Sequence, residues 1–229
     1  MATTLDQSVA GADLVVLAAS PGANLALLAD LAKRIAGGAT IVTDVSSVKR
    51  PIVERAAALG LQTQFAGSHP LAGTHVSGFD ASDANLFEGA LVYVTPVDGG
   101  HGVHDEVVHF WKDVMGAHPV TIEAEQHDQL LAWTSHLPQS VASALAVAMA
   151  DRGPRGATFG PGARSTTRLA ASSSDMWTEI LMQNREPVLR ALGALADAQA
   201  ELREAMEQMD EARVRAWLER GAAWRRGIE

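Results

Sequence analysis

Short apolar runs alternate with amphipathic stretches over the first 122 residues, and then the alternation stops. Asp13–Ala19 (DLVVLAA) is a continuous apolar run closed by Ser20-Pro21-Gly22, the pattern of a buried strand that ends in a tight loop. A helix should follow, capped near Asn24, with Leu25, Leu28, Leu31, Ala32 and Ile35 on one face and Gly37-Gly38 at its end. Thr40–Val45 (TIVTDV) reads as the next strand, and Pro51 suits the first turn of a helix carrying Ile52, Val53, Ala56 and Leu59 that Gly60 stops. Thr63–Ala66, Ala90–Thr95 and Pro119–Ile122 read as later strands, with a helix over about Val103–Val114 before the last. This order of elements predicts βαβ units and a mostly parallel sheet.

Beyond Glu123 the strand signal vanishes. Gln129–Ala150 is rich in alanine and leucine and reads as helix, with Pro138 expected to kink or break it. Arg152–Arg164 (RGPRGATFGPGAR) is a glycine- and proline-rich loop, after which helices resume around Thr166, Asp175 and Arg185. Val188, Leu192, Leu195, Gln199, Leu202, Met206 and Met209 are then spaced alternately by four and three, a coiled-coil type of seam with one polar interruption. Two readings of the seam stay open: a helix packed inside its own domain, or a homodimer interface. The predicted architecture is α/β plus all-α, with a boundary between 1–122 and 123–229.

Composition narrows the function classes. With 229 residues, 47% hydrophobic and 20% charged, the chain can build a substantial core, which excludes disorder. Eighteen basic against 27 acidic residues leave a net charge of −9, which argues against nucleic acid or an anionic membrane surface as the main partner. A small anionic ligand held by a local arginine is still compatible. There is no cysteine, hence no disulfide, thiolate metal site or cysteine nucleophile. The start, MATTLDQSVAG, lacks the basic and apolar regions of a signal peptide, and the longest uncharged stretch, Leu14–Ala29, is too short and broken to span a bilayer. A cytoplasmic protein is expected.

Candidate chemistry clusters at predicted strand ends, where open α/β sheets bind ligands. Ala18-Ala19-Ser20-Pro21 would let backbone approach a planar or phosphorylated ligand. Asp44-Val45-Ser46-Ser47-Val48-Lys49 is a polar cluster, for which helix capping by Ser46 or Ser47 is the plain alternative. In Gly67–Thr74 (GSHPLAGT), Pro70 biases His69 to extended geometry, so that its ring could accept a proton near neutral pH; a structural histidine is the other reading. Ala19, Ser20, Pro21, Asp44 and Ser46 are the candidate cofactor contacts. The spacing of His101, His104 and His109 does not match a zinc hydrolase, and no metal site is expected. The second half adds His127-Asp128, Ser135–Gln139 (SHLPQ) and Thr167-Arg168, where Arg168 could grip a carboxylate or form a surface salt bridge.

Taken in order, DVSSVK (44–49), GSHPLAGTHVSG (67–78), LFEG (86–89) before a strand ending Thr95-Pro96, SHLPQ (135–139), TRLA (167–170), Met176-Trp177 and Asn184 resemble the prephenate/arogenate dehydrogenase family of tyrosine biosynthesis over nearly the whole chain. The resemblance implies a Rossmann-like nucleotide-binding domain followed by a helical dimerisation domain. It implies NAD or NADP as cofactor, and prephenate or arogenate as substrate. Tyrosine becomes a candidate inhibitor and a homodimer the expected assembly. The implied reaction is oxidative decarboxylation: hydride leaves the ring carbon bearing the hydroxyl, carbon dioxide departs, and the ring becomes aromatic. His69 would accept the hydroxyl proton, with Ser47 sharing that hydroxyl and orienting the histidine. Arg168 would hold a substrate carboxylate, Thr74 and His136 would line the pocket, and Trp177 would stand at the site or at a subunit boundary.

Three departures from the family pattern bear on function. Gln139 stands where many members have a histidine facing the substrate side chain, which bears on the choice between prephenate and arogenate. His75 replaces a frequent acidic residue. No Gly-x-Gly-x-x-Gly turn occurs anywhere in the chain. Residues 1–12 resemble the segment before the family's fourth strand, so the chain is expected to begin within the cofactor domain and, alone, to bind dinucleotide weakly or not at all. Two alternatives stay in view: a non-catalytic dimer that binds a tyrosine-like ligand, and a related hydroxy-acid dehydrogenase.

Overall fold

A computed structural model describes residues 4–73, 82–153 and 158–228. The chain divides into two compact units, Met1–Arg185 and Glu186–Glu229. In the first unit the order is α1 (Leu5–Val9), β1 (Leu14–Leu17), α2 (Pro21–Ile35), β2 (Ile41–Asp44), α3 (Arg50–Ala58), β3 (Gly67–Pro70), β4 (Leu91–Thr95), α4 (His101–His109), β5 (His118–Thr121), α5 (Ala124–Leu131), α6 (Leu137–Arg152), α7 (Pro161–Thr167) and α8 (Ser174–Gln183). No strand follows Thr121 among the described residues, which matches the loss of strand signal there. The expected boundary at 122/123 marks that change of content, whereas the seam between compact units lies at Arg185.

β1 and β2 pair in parallel from Leu14↔Ile41 to Leu17↔Asp44. β2 reaches onward through a parallel bridge between Val42 and Phe65, with Val42 N–H donating to Gln64 O at 2.7 Å. The regular strand after it is Gly67–Pro70, four residues beyond the apolar run Thr63–Ala66 that marked it in the sequence. β3 pairs antiparallel with β4, and β4 pairs in parallel with β5. Because β3 and β4 are antiparallel, this connection is not a βαβ crossover, and the sheet contains an antiparallel pair.

The predicted helix faces form the core. Leu28, Leu31 and Ile35 of α2 and Ile52 and Ala56 of α3 pack with Leu17, Val42 and Phe65 of the sheet. Burial of each large side chain contributes roughly 1.5–3 kcal/mol. A second cluster joins Val92 and Val94 to Val107, Trp111 and Ala117. α2 starts earlier than expected: Ser20 is its N-cap, with Oγ accepting from Ala23 N–H, and Pro21 takes the first turn. Asn24 is instead fully buried, accepting from Ala19 N–H at 3.0 Å and donating to Leu17 O and Ser46 Oγ. Its amide replaces the ladder partners that the backbone loses where β1 ends.

Pro138 does not break the second half. α5 runs through a π turn, Ala132–His136, straight into α6, where Pro138 occupies the first turn. A π turn widens the hydrogen-bond ladder just where proline lacks a donor, so helical geometry continues on both sides.

The second unit is a helical hairpin of α9 (Arg185–Glu207) and α10 (Glu211–Arg226). The expected seam holds through Val188, Leu192 and Leu195 and then shifts by one residue. Ala198, Leu202 and Ala205 turn inward, whereas Gln199, Met206 and Met209 are exposed. α10 covers the shifted face: Trp217 Nε1 donates to Ala198 O at 3.0 Å, Arg220 grips Glu201 through both oxygens, and Arg213 pairs with Glu204.

One buried ion pair fixes the loop between β2 and α3. Lys49 Nζ donates to Asp44 Oδ2 at 2.5 Å and to Ser68 O at 2.6 Å, and both side chains are inaccessible to solvent. Asp44 also accepts from Ser46 N–H and Ser68 N–H, which ties β2, the loop and β3 together. Lys49→Met leaves a buried carboxylate without its counter-ion, and should lower stability by about 3–5 kcal/mol. Adding Asp44→Asn should restore part of that loss. Chemical denaturation of the two variants checks both expectations; equal losses would show that the charge pair is not the cause.

Candidate functional site

The site grows from the carboxyl ends of β1 and β2 and from β3. Asp44 and Ser46, expected at a cofactor, are both buried. The Asp44 carboxylate is spent on the loop just described, and Ser46 Oγ accepts from Asn24, so these two side chains build the floor. Ser47 is half-buried and its hydroxyl makes no hydrogen bond among the described residues.

His69 lies within β3, paired with Tyr93 rather than standing free at a strand end. Its Nδ1 is 2.9 Å from His127 Nε2, and His127 Nδ1 is 2.8 Å from Asp128 Oδ1. The bond pattern sets the tautomers. Asp128 Oδ1 also accepts from Lys49 N–H at 2.7 Å and Oδ2 from Arg50 N–H at 2.9 Å, marking it as an ionised acceptor. His127 therefore donates through Nδ1 and accepts at Nε2, and His69 donates through Nδ1. His69 Nε2 is left as a lone pair with no partner among the described residues. The expected Ser47–His69 hydrogen bond is absent; His127 orients the ring instead. Tyr93 packs edge-on to His127, with centroids 5.5 Å apart.

Burial holds all three histidines neutral. For His69 burial pushes the pKa well below the usual imidazole value, and nearby His127, Lys49 and His136 push the same way. Burial also lowers His127, against the opposing pull of Asp128, and brings His136 down to about 4.

The helical elements supply the other wall. His136 sits at the end of the π turn, its Nδ1 3.0 Å from Asn184 Nδ2, and Asn184 also donates to Asp128 O at 2.7 Å. Trp177 packs edge-on to His136 at 5.9 Å. Gln139 is buried one turn further on; its Nε2 donates to Leu169 O at 2.9 Å and its Oε1 has no donor. That bond anchors the short 3-10 turn Arg168–Ala171, on which Arg168 is exposed and makes no ion pair among the described residues. Thr74 and His75 lie outside the described residues.

The β1–α2 turn presents exposed Ala18, Ala19 and Ser20 above buried Pro21. Four amide donors there are taken. Ala19 N–H goes to Asn24 Oδ1, Gly22 N–H to Glu179 Oε2 at 2.9 Å, Ala23 N–H to Ser20 Oγ and Asn24 N–H to Ser20 O; Pro21 has none. The turn thus offers the flat face of a ring a surface of small side chains.

The structure therefore joins His69, Ser47, His136, Trp177, Gln139 and Arg168 to one region through shared partners and chain neighbours. His127 and Asp128 stood out in the sequence only as a dipeptide, and Asn184 only as a family match. Glu179, which also accepts from Ser20 Oγ, carried no signal, because its contact spans 157 residues. No cluster of three or more potential metal ligands occurs among the described residues.

The depressed imidazoles give stability a pH dependence. Each binds fewer protons folded than unfolded, so stability is full above the ordinary value of 6.5 and falls as pH drops, through about 4 for His136. Melting temperature should decline steadily from pH 7 to pH 4.5, and His136→Asn should flatten that decline; an unchanged slope in the variant would refute the assignment.

Comparison with known proteins follows the same layout. Residues 2–121 match the family described as prephenate dehydrogenase, nucleotide-binding domain, and residues 123–220 match prephenate dehydrogenase, dimerization domain. A prephenate dehydrogenase of Lactococcus lactis is 30% identical over 226 residues, covering 95% of this chain and 61% of that protein. One from Bacillus subtilis is 33% identical over 183 residues, covering 76% of this chain and 48% of its own length. The chain thus spans about half to three fifths of these relatives. Among solved structures, prephenate dehydrogenase from A. aeolicus in complex with hydroxyphenyl propionate and NAD+ has a TM-score of 0.84 and 28% identity, covering 99% of this chain and 81% of that one. Synechocystis arogenate dehydrogenase has a TM-score of 0.81 and 25% identity, covering 98% and 82%. No helix among the described residues is long and apolar enough to cross a membrane. With both domain matches in sequence order and agreement in fold along nearly its full length, the chain belongs to the prephenate dehydrogenase family.

Proposed function

We propose that the chain carries out the oxidative decarboxylation of prephenate or arogenate with NAD or NADP. The observation that carries this reading is the buried His69 ring, held through Nδ1 by His127 and with no partner on Nε2 among the described residues. The complex of the Aquifex relative with NAD+ and a hydroxyphenyl ligand supports the same ligand classes here. When bound, the dinucleotide supplies the hydride acceptor. Ala18 and Ala19, small and exposed at the β1–α2 turn, would hold it there. His69 Nε2 accepts the proton of the ring hydroxyl as the carbon beneath it loses hydride, and Ser47, whose hydroxyl is uncommitted, holds the same oxygen. Breaking of the bond to the ring carboxylate then shifts its electron pair into the ring and the carbonyl pair onto oxygen, which takes back the proton from His69 as the ring becomes aromatic. Arg168 holds a carboxylate of the substrate through a charge-assisted contact, and Trp177 and His136 wall the ring.

The buried Gln139 Oε1 favours arogenate. Its amide nitrogen is committed to Leu169 O, so the oxygen needs an outside donor. The ammonium of an amino acid supplies one, whereas the keto oxygen of prephenate brings only lone pairs. Tyrosine carries the same ammonium and is the proposed competing ligand.

Purified protein should reduce NAD or NADP faster with arogenate than with prephenate, and Gln139→Leu should remove most of that preference. His69→Asn should lower kcat by about 10²–10⁴-fold. Arg168→Ala should raise KM with little change in kcat. No turnover with either substrate and either cofactor, together with a thermal shift by tyrosine, would overturn the reading in favour of a binding protein.

The second unit is proposed to pair with a second copy. Met206, Met209, Val214 and Leu218 line an apolar groove of about 660 Å³ along the α9–α10 hairpin. Met209 is 87% exposed and held at a φ of 56°, a left-handed conformation unusual for this side chain. An exposed apolar groove of this kind marks an interaction surface. Leu218→Glu should convert a dimer to a monomer in sedimentation; a variant that stays dimeric would place the interface elsewhere.

A further inference from the structure

We propose that His127 and Asp128 form a relay behind His69 that takes over the positive charge created when His69 accepts a proton. The inference rests on the reading of His69 as the base. His127 and Asp128 are positioning residues in this scheme, since neither faces the substrate directly.

The geometry is a continuous line of donors and acceptors: Asp128 Oδ1 to His127 Nδ1 at 2.8 Å, and His127 Nε2 to His69 Nδ1 at 2.9 Å. His69 and His127 meet edge-on, with an interplanar angle of 71° and centroids 5.1 Å apart, so one ring's nitrogen lies in the other's donor direction. Asp128 is held by two backbone amides at the start of α3, where Lys49 provides no side-chain cap. Helix capping alone would need the carboxylate but not the aligned pair of rings.

The proton inventory closes. The substrate hydroxyl proton moves to His69 Nε2 while the O–H electron pair stays on oxygen to form the carbonyl, as hydride leaves the same carbon for the dinucleotide. The Nδ1 proton of His69 moves to His127 Nε2. His69 ends neutral, protonated on Nε2, and His127 ends as a cation bonded to the Asp128 carboxylate. As the carboxylate departs and the ring becomes aromatic, the reverse hops return the proton through Nε2 to the same oxygen, so the product leaves as a phenol and both rings regain their starting tautomers.

The charge belongs on the rear ring for an electrostatic reason. A cation on His69 would lie buried near the Lys49 ammonium and His136, with no carboxylate bonded to it. Asp44 is already matched by Lys49. Tyr93 packs on His127 as a neutral ring. On His127 the charge also meets the Lys49 ammonium, but it gains a direct hydrogen bond to Asp128 and the nearby Asp44 carboxylate.

Two measurements test the relay. Nitrogen-15 histidine spectra of the full chain should show His69 protonated on Nδ1 and bare on Nε2. The opposite tautomer overturns the relay, and does so whether or not the chain turns over substrate. In steady-state kinetics His127→Phe, which keeps an aromatic ring beside Tyr93 and leaves the α3 cap untouched, should lower kcat about 100-fold with KM within threefold. Asp128→Asn removes the charge that stabilises the imidazolium, lowers the pKa of the pair and should move the acid limb of the kcat profile to lower pH. A kcat within threefold of normal in His127→Phe, or an acid limb that stays in place in Asp128→Asn, overturns the proposal. Absence of turnover in the unmodified chain overturns the proposed function instead, and the ring-nitrogen spectra then decide the pair on their own.

Discussion

The carboxylate of Asp128 is the constraint on which the rest depends. One oxygen accepts from Lys49 N–H and His127 Nδ1, the other from Arg50 N–H, and the backbone carbonyl of the same residue accepts from Asn184. A single residue thus caps α3, sets the tautomer of His127 and, through Asn184, fixes the ring of His136. Because it is buried, its acceptors must be filled by protein donors, and filling them forces α3, α5 and the residue after α8 into one arrangement.

Around that residue the fold divides its tasks. The buried Lys49–Asp44 pair holds β2, the following loop and β3 as a rigid floor, so that His69 is placed by a strand and not by a mobile loop. The π turn before Pro138 brings His136 inward while the helix continues. Glu179 closes the amino end of α2 from α8 by accepting from Gly22 N–H and Ser20 Oγ, beside a flat surface of small side chains. Among the described residues the fully buried side-chain polar atoms without a partner are Thr95 Oγ1 and Gln139 Oε1.

Much of this was legible in the chain. The runs at 13–19, 40–45, 90–95 and 119–122 became β1, β2, β4 and β5, because each is a short apolar, β-branched segment bounded by turn residues. β3 escaped because Gly67-Ser68-His69-Pro70 is polar, and its strand geometry comes from pairing with β4. The cap of α2 was misplaced because Ser20 and Asn24 are both good caps by residue type, and only the burial of Asn24 against Ser46 separates them. The seam on α9 slid from Gln199 to Ala198 because α10 folds back upon it, which the spacing on one helix does not encode. His69 was singled out from its neighbours, but its orientation by His127 instead of Ser47 rests on residues 58 apart in the chain.

Sequence alone therefore determined the order of elements, the apolar faces that build the core, the likeness to a dehydrogenase family and the identity of the candidate base. These follow from local periodicity and from short motifs whose members are neighbours in the chain. Tertiary structure decided the tautomer of that base, the use of Asp44 and Ser46 as buried framework, the partner of Glu179 and the unpartnered oxygen of Gln139. Each of those depends on which polar atoms lose water together, and desolvation is a property of the packed chain rather than of any segment within it.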